Sequence, residues 1–169
     1  MDGGNISLYR DDFHARSLDA KAQPWDFAAK AKWAEIRYSI PEDIRISGES
    51  VHARRSVAYD GLAGPILVFG VWRGRELLSW DETGAIADEL GLPLVPLLYR
   101  GSDFDEALVA WENSGRTVDD SEGFVVRDAG SYSADDFALH MAKWVRENHV
   151  RTAADWRNRL DFERNGYAS

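Results

Sequence analysis

The chain has 169 residues, with 20 Lys and Arg against 29 Asp and Glu, a formal net charge of −9, 44% hydrophobic residues and no cysteine. This length suits one well-buried core rather than two independent domains, and no apolar run reaches the roughly 20 residues of a membrane-spanning helix. The acidic balance argues against a generic polyanion binder, whose affinity comes from basic side chains neutralising phosphates. The lack of cysteine excludes a disulfide framework, a thiolate metal site and a thiol nucleophile, and fits a cytoplasmic protein.

The charge does not exclude a local basic site. Arginines cluster at Arg54-Arg55, Arg73 and Arg75, and again from Arg146 through Arg151, Arg157, Arg159 and Arg164. The four histidines show no paired spacing of the kind that binds zinc on a helix, and read as surface or polar-network residues. Seven tryptophans supply core volume and candidate stacking platforms.

The first element is the turn Asp2-Gly3-Gly4-Asn5, which leads into the apolar alternation Ile6, Leu8. It reads either as a tight turn before a strand, or as a place where Gly3 and Gly4 let backbone approach a ligand, with Asp2 and Asn5 at its edge. Asn5 to Leu18 reads as a hairpin turning at Asp11-Asp12. Arg16 on its second strand is either a solvated residue or a planar fork that grips a phosphate.

Gln23-Pro24 introduces a helix from Trp25 to about Tyr38, with Ala29, Trp33 and Ile36 on one face, stopped by Pro41. Ile44 to Ile46 forms a short strand leading into Ser47-Gly48-Glu49. Residues 51–64 read as irregular or extended, broken by Gly61 and Gly64-Pro65. Ile66 to Trp72 is the most hydrophobic segment and predicts a central strand buried on both faces. Arg73-Gly74 is a tight turn into Glu76–Leu78. Ser79-Trp80-Asp81-Glu82 is a capping box opening a helix to Leu90, ended by Gly91.

Leu94 to Tyr99 predicts another apolar strand. Ser102 or Asp103 then caps a helix carrying Phe104, Ala107, Leu108 and Trp111, followed by a surface loop from Asn113 to Ser121. Glu122 to Asp128 predicts a strand with an acid at its head and an arginine at its tail. Ser133 to Asp136 is a second capping-box candidate, and Phe137, Met141 and Trp144 recur at helical spacing. Met141 to Val150 reads equally as a strand, with Lys143 and Val145 on one face. Ala153 to Arg164 predicts a charged amphipathic helix with a frayed end. Short strands mixed with helices, without regular βαβ alternation, indicate an α+β domain of largely antiparallel β-sheets flanked by helices.

The order of these motifs is more specific than any one of them. The sequence x-Asp-Gly-x-Asn, then Arg-Ser, Gly-Glu, a buried Phe-Gly strand, Glu-Gly-Phe-Val-Val-Arg and Lys-Trp-Val-Arg resembles the covalent nucleotidyltransferases. Within that superfamily it is similar to the ATP-dependent RNA ligases. The resemblance spans nearly the whole chain, with residues 1–150 as the nucleotidyltransferase core lacking its N-terminal strands and residues 151–169 as a helical tail of the same domain. It implies a lysine that attacks the α-phosphate of ATP to give lysyl-AMP. AMP then passes to an RNA 5′-phosphate, and a 3′-hydroxyl displaces AMP to seal the strand. Such transfers need charge neutralisation and alignment more than elaborate proton chemistry.

The resemblance also implies roles. Asp2, Gly3 and Asn5 line the nucleotide region, and Arg16 contacts phosphate or the RNA end. Glu49 binds the ribose, while Leu67 to Phe69 cover one adenine face, with aliphatic Leu67 at the stacking position. Glu122 holds Mg2+ or Mn2+, or the ribose edge, and Lys143 neutralises the α-phosphate. A second lysine common among relatives is replaced by Val145, with Arg146 close by. The family nucleophile stands in the order Lys-x-Asp-Gly, of which Met1-Asp2-Gly3 supplies only x-Asp-Gly. None of Lys21, Lys30, Lys32 and Lys143 occupies that motif. The expectation is an RNA ligase domain whose nucleophile falls outside the 169 residues. The alternatives are a non-catalytic nucleotide- or RNA-end-binding remnant, and an enzyme limited to joining pre-adenylylated ends.

Overall fold

A computed structural model of the chain describes residues 1–15, 24–55, 57–115, 121, 123–145 and 162–168. Its centre is a six-stranded antiparallel sheet. β1 (Gly4–Leu8) and β2 (Phe13–Ala15) form the expected hairpin, with Ile6 opposite Ala15 and the Tyr9 N–H donating to the Asp12 carbonyl at 2.9 Å across the turn. β3 (Ile44–Ser50) continues four residues past the predicted Ile46 and pairs with β1 on one side and β4 (Ile66–Arg73) on the other. Gly74, at φ 58°, turns the chain into β5 (Glu76–Leu77), a conformation that glycine adopts without steric cost. β7 (Tyr132–Ser133) closes the sheet in the order β2-β1-β3-β4-β5-β7.

Strand alternation gives this sheet two different faces. One carries Ile6, Leu8, Ile46, Ile66 and Val68 and packs against two helices, α1 (Phe27–Ile36) through Ala29 and Ile36, and α2 (Trp80–Glu89) through Ala87. The predicted stripe of α1 is the one that is used, and Trp33 is fixed further by its Nε1–H donating to the Tyr9 carbonyl at 2.7 Å. At the start of α2 the Ser79 hydroxyl accepts from the Glu82 N–H while the Glu82 carboxylate accepts from the Ser79 N–H, the reciprocal capping box read from the sequence. Gly91 then ends that helix at φ 61°. The central strand is buried on both sides, as Ile66 to Trp72 predicted.

The other region is smaller. α3 (Phe104–Asn113), capped by Asp103 rather than Ser102, lies beside a two-stranded sheet of β6 (Gly123–Arg127) and β8 (Met141–Val145). Rings of Trp111, Phe124 and Trp144 meet with centroids 5.5–5.7 Å apart.

Several expectations are corrected. Leu94 to Tyr99 is not a strand. It makes one parallel bridge, Val68 to Leu94, through Val68 N–H to the Pro93 carbonyl and Val95 N–H to the Val68 carbonyl, both 2.8 Å. No further bridge from this segment to β4 follows among the described residues. The helical spacing of Phe137, Met141 and Trp144 gives only one turn, α4 (Phe137–His140), before β8 begins. Pairing of β8 with β6 through Phe124–Trp144 and Val125–Lys143 overrides the helical period. Ser133 caps by accepting from the Asp135 N–H, without a returning carboxylate, so it is not a capping box.

The tail is also different. The helix expected over residues 153–164 falls largely outside the described residues, and Phe162 to Arg164 is not helical. Instead residues 162–168 return along residues 52–62, with bridges Ala53–Arg164 and Leu62–Tyr167. Asn165 is 6% exposed. Its amide donates to the Val51 carbonyl at 2.8 Å and its Oδ1 accepts from the Tyr59 N–H at 3.0 Å. Among the described residues no helix is long and apolar enough to cross a membrane.

Candidate functional site

The site face is the side of the large sheet away from α1 and α2. Asn5 pairs with Glu49 across β1 and β3, and Glu49 pairs with Leu67 across β3 and β4, so all three stand in one transverse row. The opening turn closes over this row. Gly3 N–H donates to Glu49 Oε1 at 3.1 Å, and a Cβ on Gly3 would sit 2.5 Å from the Ser50 carbonyl oxygen and 2.8 Å from Glu49 Cγ. Glycine is therefore required here by the close approach of the turn to β3.

Asp2 is 5% exposed and serves the scaffold. Its Oδ2 accepts from the Val57 N–H at 3.1 Å, and its own N–H donates to the Tyr59 hydroxyl at 2.8 Å. A buried carboxylate with such partners fixes the turn against residues 57–59. Because Tyr59 is in turn held by Asn165, the turn is anchored through three segments that are distant in sequence. Neither Tyr59 nor Asn165 carries a local sequence signal for this. A polar asparagine before glycine near the end of a chain reads as a frayed turn.

Leu67 and Phe69 differ in what they offer. Leu67 is 4% exposed, packed with Val51 and Leu62 in a small cluster that Met1, Tyr59 and Val95 cover. Phe69 is half-buried. β3 and β4 slip register between Ser47 and Gly48, so that Phe69 is the extra residue of a β-bulge, a feature that re-aims a side chain. Of the two, Phe69 is the one with accessible ring surface.

Lys143 lies elsewhere. It stands on β8, opposite Val125, and its side chain is exposed. With Phe104, Leu108, Trp111, Phe124 and Trp144 it lines a cleft of about 350 Å³ between α3 and the small sheet. Arg127 fastens that sheet to the large one. Its guanidinium donates to the Phe69 carbonyl at 3.3 Å and the Leu78 carbonyl at 3.0 Å, and lies over the rings of Trp80 and Tyr132. Burial lowers its pKa from the ordinary value, opposed by Tyr132. From the sequence this arginine was the polar tail of a strand and the end of the Glu-Gly-Phe-Val-Val-Arg motif, with no role of its own.

Arg16, Glu122 and Arg146 lie outside the described residues. Among the described residues no group of three His, Asp or Glu side chains gathers at a metal-binding distance. The basic cluster at residues 54–75 is largely neutralised: Arg54 pairs with Glu163, Arg73 with Asp43 and Arg75 with Asp135.

An antiparallel α+β domain whose opening Asp-Gly turn is bonded to a strand glutamate has the architecture of a nucleotidyltransferase-like ligase domain. Residues 1–145 match the family described as RNA ligase, and the chain belongs to that family. No curated protein and no solved structure matches it.

Proposed function

We propose that this domain seals RNA 5′-phosphate and 3′-hydroxyl ends through lysyl-AMP and RNA-adenylate intermediates, using ATP. The observation that supports this most directly is the Gly3–Glu49 hydrogen bond, which sets the x-Asp-Gly turn beside the Asn5–Glu49–Leu67 row. In this reading Glu49 accepts from the ribose hydroxyls, Phe69 covers the adenine, and Lys143 draws charge from the α-phosphate as a compact cation. Arg16 and Arg146 are proposed as further phosphate contacts. Glu122 is proposed as the protein ligand of Mg2+ or Mn2+. A single carboxylate suits that role, because magnesium is commonly held by one or two carboxylates together with substrate phosphates.

The 169 residues carry methionine at the x of Lys-x-Asp-Gly, and none of the four lysines stands in the nucleophile position. Covalent catalysis requires that nucleophile. The last transfer, in which the 3′-hydroxyl displaces AMP from the 5′-phosphate, does not use that nucleophile, so joining of an already adenylylated end probes the rest of the site by itself.

The test is joining of a pre-adenylylated RNA strand to an acceptor with a 3′-hydroxyl, alongside incubation with α-labelled ATP. The expected result is product from the adenylylated strand, no protein-bound label, and a loss of joining of about tenfold or more in Lys143→Ala and Glu122→Ala. A covalent adduct would overturn the assignment of the nucleophile. RNA binding without joining would favour a non-catalytic end-binding module instead.

A further inference from the structure

We infer that Arg45 is a contact for an RNA backbone phosphate, on the same sheet face as Glu49 and four residues along β3 from it. The inference rests on the proposed reading of that face as the ligase site. At the rise of an antiparallel strand the separation is about 13 Å. Arg45 stands opposite Trp72 in the register of β3 and β4, and its guanidinium carbon lies 4.5 Å from the centroid of a Trp72 ring. Trp72 is buried, backed by Leu77 and Tyr132 and stacked on Phe137 at 6.2 Å. The indole thus holds the guanidinium in place without spending any of its N–H groups.

Arg45 Nε is buried and has no hydrogen-bond partner among the described residues. In a protein with 29 acids against 20 bases, the described arginines 37, 54, 73, 75 and 100 each pair with a carboxylate. The Trp72 cluster contains a second orphan donor, the buried Tyr132 hydroxyl. Buried donors in native proteins are nearly always satisfied, so two in one cluster point to an acceptor that the described residues do not supply. A fork of N–H groups held on an aromatic plane matches phosphate. Between this row and the Asn5–Glu49–Leu67 row, β1 and β3 carry the small groups Ser7 and Ser47, while Leu77 and Arg127 cover the Gly70 position on β4. Ser7 is partly exposed, so a strand whose adenylylated end sits at Glu49 reaches Arg45 along the β1 side of the sheet.

The test compares Arg45→Gln and Arg45→Lys with the unaltered chain. Three probes are used: a 5′-phosphorylated single-stranded RNA 12-mer, AMP, and ATP. Arg45→Gln is expected to bind the RNA about tenfold more weakly, and to lower the slope of log K against log salt by about 0.7, the value of one phosphate on a single strand. Arg45→Lys keeps the slope, because one phosphate is still neutralised, and serves where Arg45→Gln unsettles the Trp72 packing. AMP binding is unchanged in both. If Arg45→Gln and Arg45→Lys leave RNA affinity and slope as they are, while Glu49→Gln loses AMP, the inference falls and the nucleotide site stands. Loss confined to ATP would assign Arg45 to the β- and γ-phosphates and overturn the RNA assignment. If the unaltered chain binds neither RNA nor AMP, both readings fall.

Discussion

The two sheets show two ways of presenting a candidate site residue. In the large sheet the site row sits on a strand whose reverse side is core, and each backbone group of the opening turn named above has a partner within the chain. In the small sheet both strands carry exposed positions, Val125 at 54% and Trp144 at 42%, and Lys143 projects from a platform that has no comparable core of its own. A two-stranded sheet is marginal by itself and depends on what it is docked to. Here the docking runs through Arg127, the aromatic cluster with α3, and the short β5–β7 pairing. The large sheet therefore supplies a pre-formed floor. The small sheet supplies a group whose position depends on an attachment, and local stability is expected to differ accordingly.

The comparison can be broken most strongly in the cores. Ile46→Ala, in the floor of the large sheet, is expected to cost about 2–5 kcal/mol, whereas Val125→Ala on the small sheet is expected to stay within about 0.5 kcal/mol. Denaturant unfolding of both variants measures this, and equal losses would show that the small sheet has its own core. A smaller effect sharpens the attachment. Arg127→Met leaves the Phe69 and Leu78 carbonyls without their donors and is expected to cost about 1–3 kcal/mol. Amide exchange should rise first in residues 123–127 and 141–145. A uniform rise across both sheets would mean that Arg127 belongs to the global core.

The smallest effect is a pH dependence. Burial, together with the Arg164 charge, lowers the His52 pKa from its usual 6.5. His52 Nδ1 lies 2.7 Å from the Tyr167 hydroxyl, with the two rings stacked. A histidine whose folded pKa is depressed is held neutral, so its contribution is fully present above 6.5. It is lost as pH falls through the lower folded value, because the unfolded chain then binds more protons. Exchange or proteolysis at residues 162–168 should increase below about pH 6.5, and His52→Gln should remove that dependence.

Much of this was legible in the sequence where the determinant is local. The Ser79–Glu82 box, the Gly74 and Gly91 stops, the Ala29–Trp33–Ile36 face and the buried Ile66–Trp72 strand each carry their own physical signal. The Asp2-Gly3 turn was open to two readings, a tight turn or a ligand approach, and its glycine answers to the close approach of β3. What was missed depends on long-range partners. Leu94 to Tyr99 looked like a strand by apolarity, but among the described residues only Leu94 bridges to a neighbour, Val68 on β4. Met141 to Val145 had two compatible periods, and only the partner β6 chose between them. Arg45 and Asn165 carried no motif, and Arg127 ended one without a role attached to it. Their roles come from an indole, two carbonyls and a loop supplied by other parts of the chain.

Asn165 has a consequence for the order of events in synthesis. Its bonds reach back 114 residues to Val51 and 106 to Tyr59, and Tyr59 lies 57 residues from Asp2. Contacts of such separation close late, because loop entropy must be overcome before they contribute. The opening turn leaves the ribosome before all of these partners and is among the last parts to become fixed. A nascent chain can assemble the α1–sheet–α2 body while the turn over the Asn5–Glu49–Leu67 row is still unlatched. The site then matures only after residue 165 has emerged.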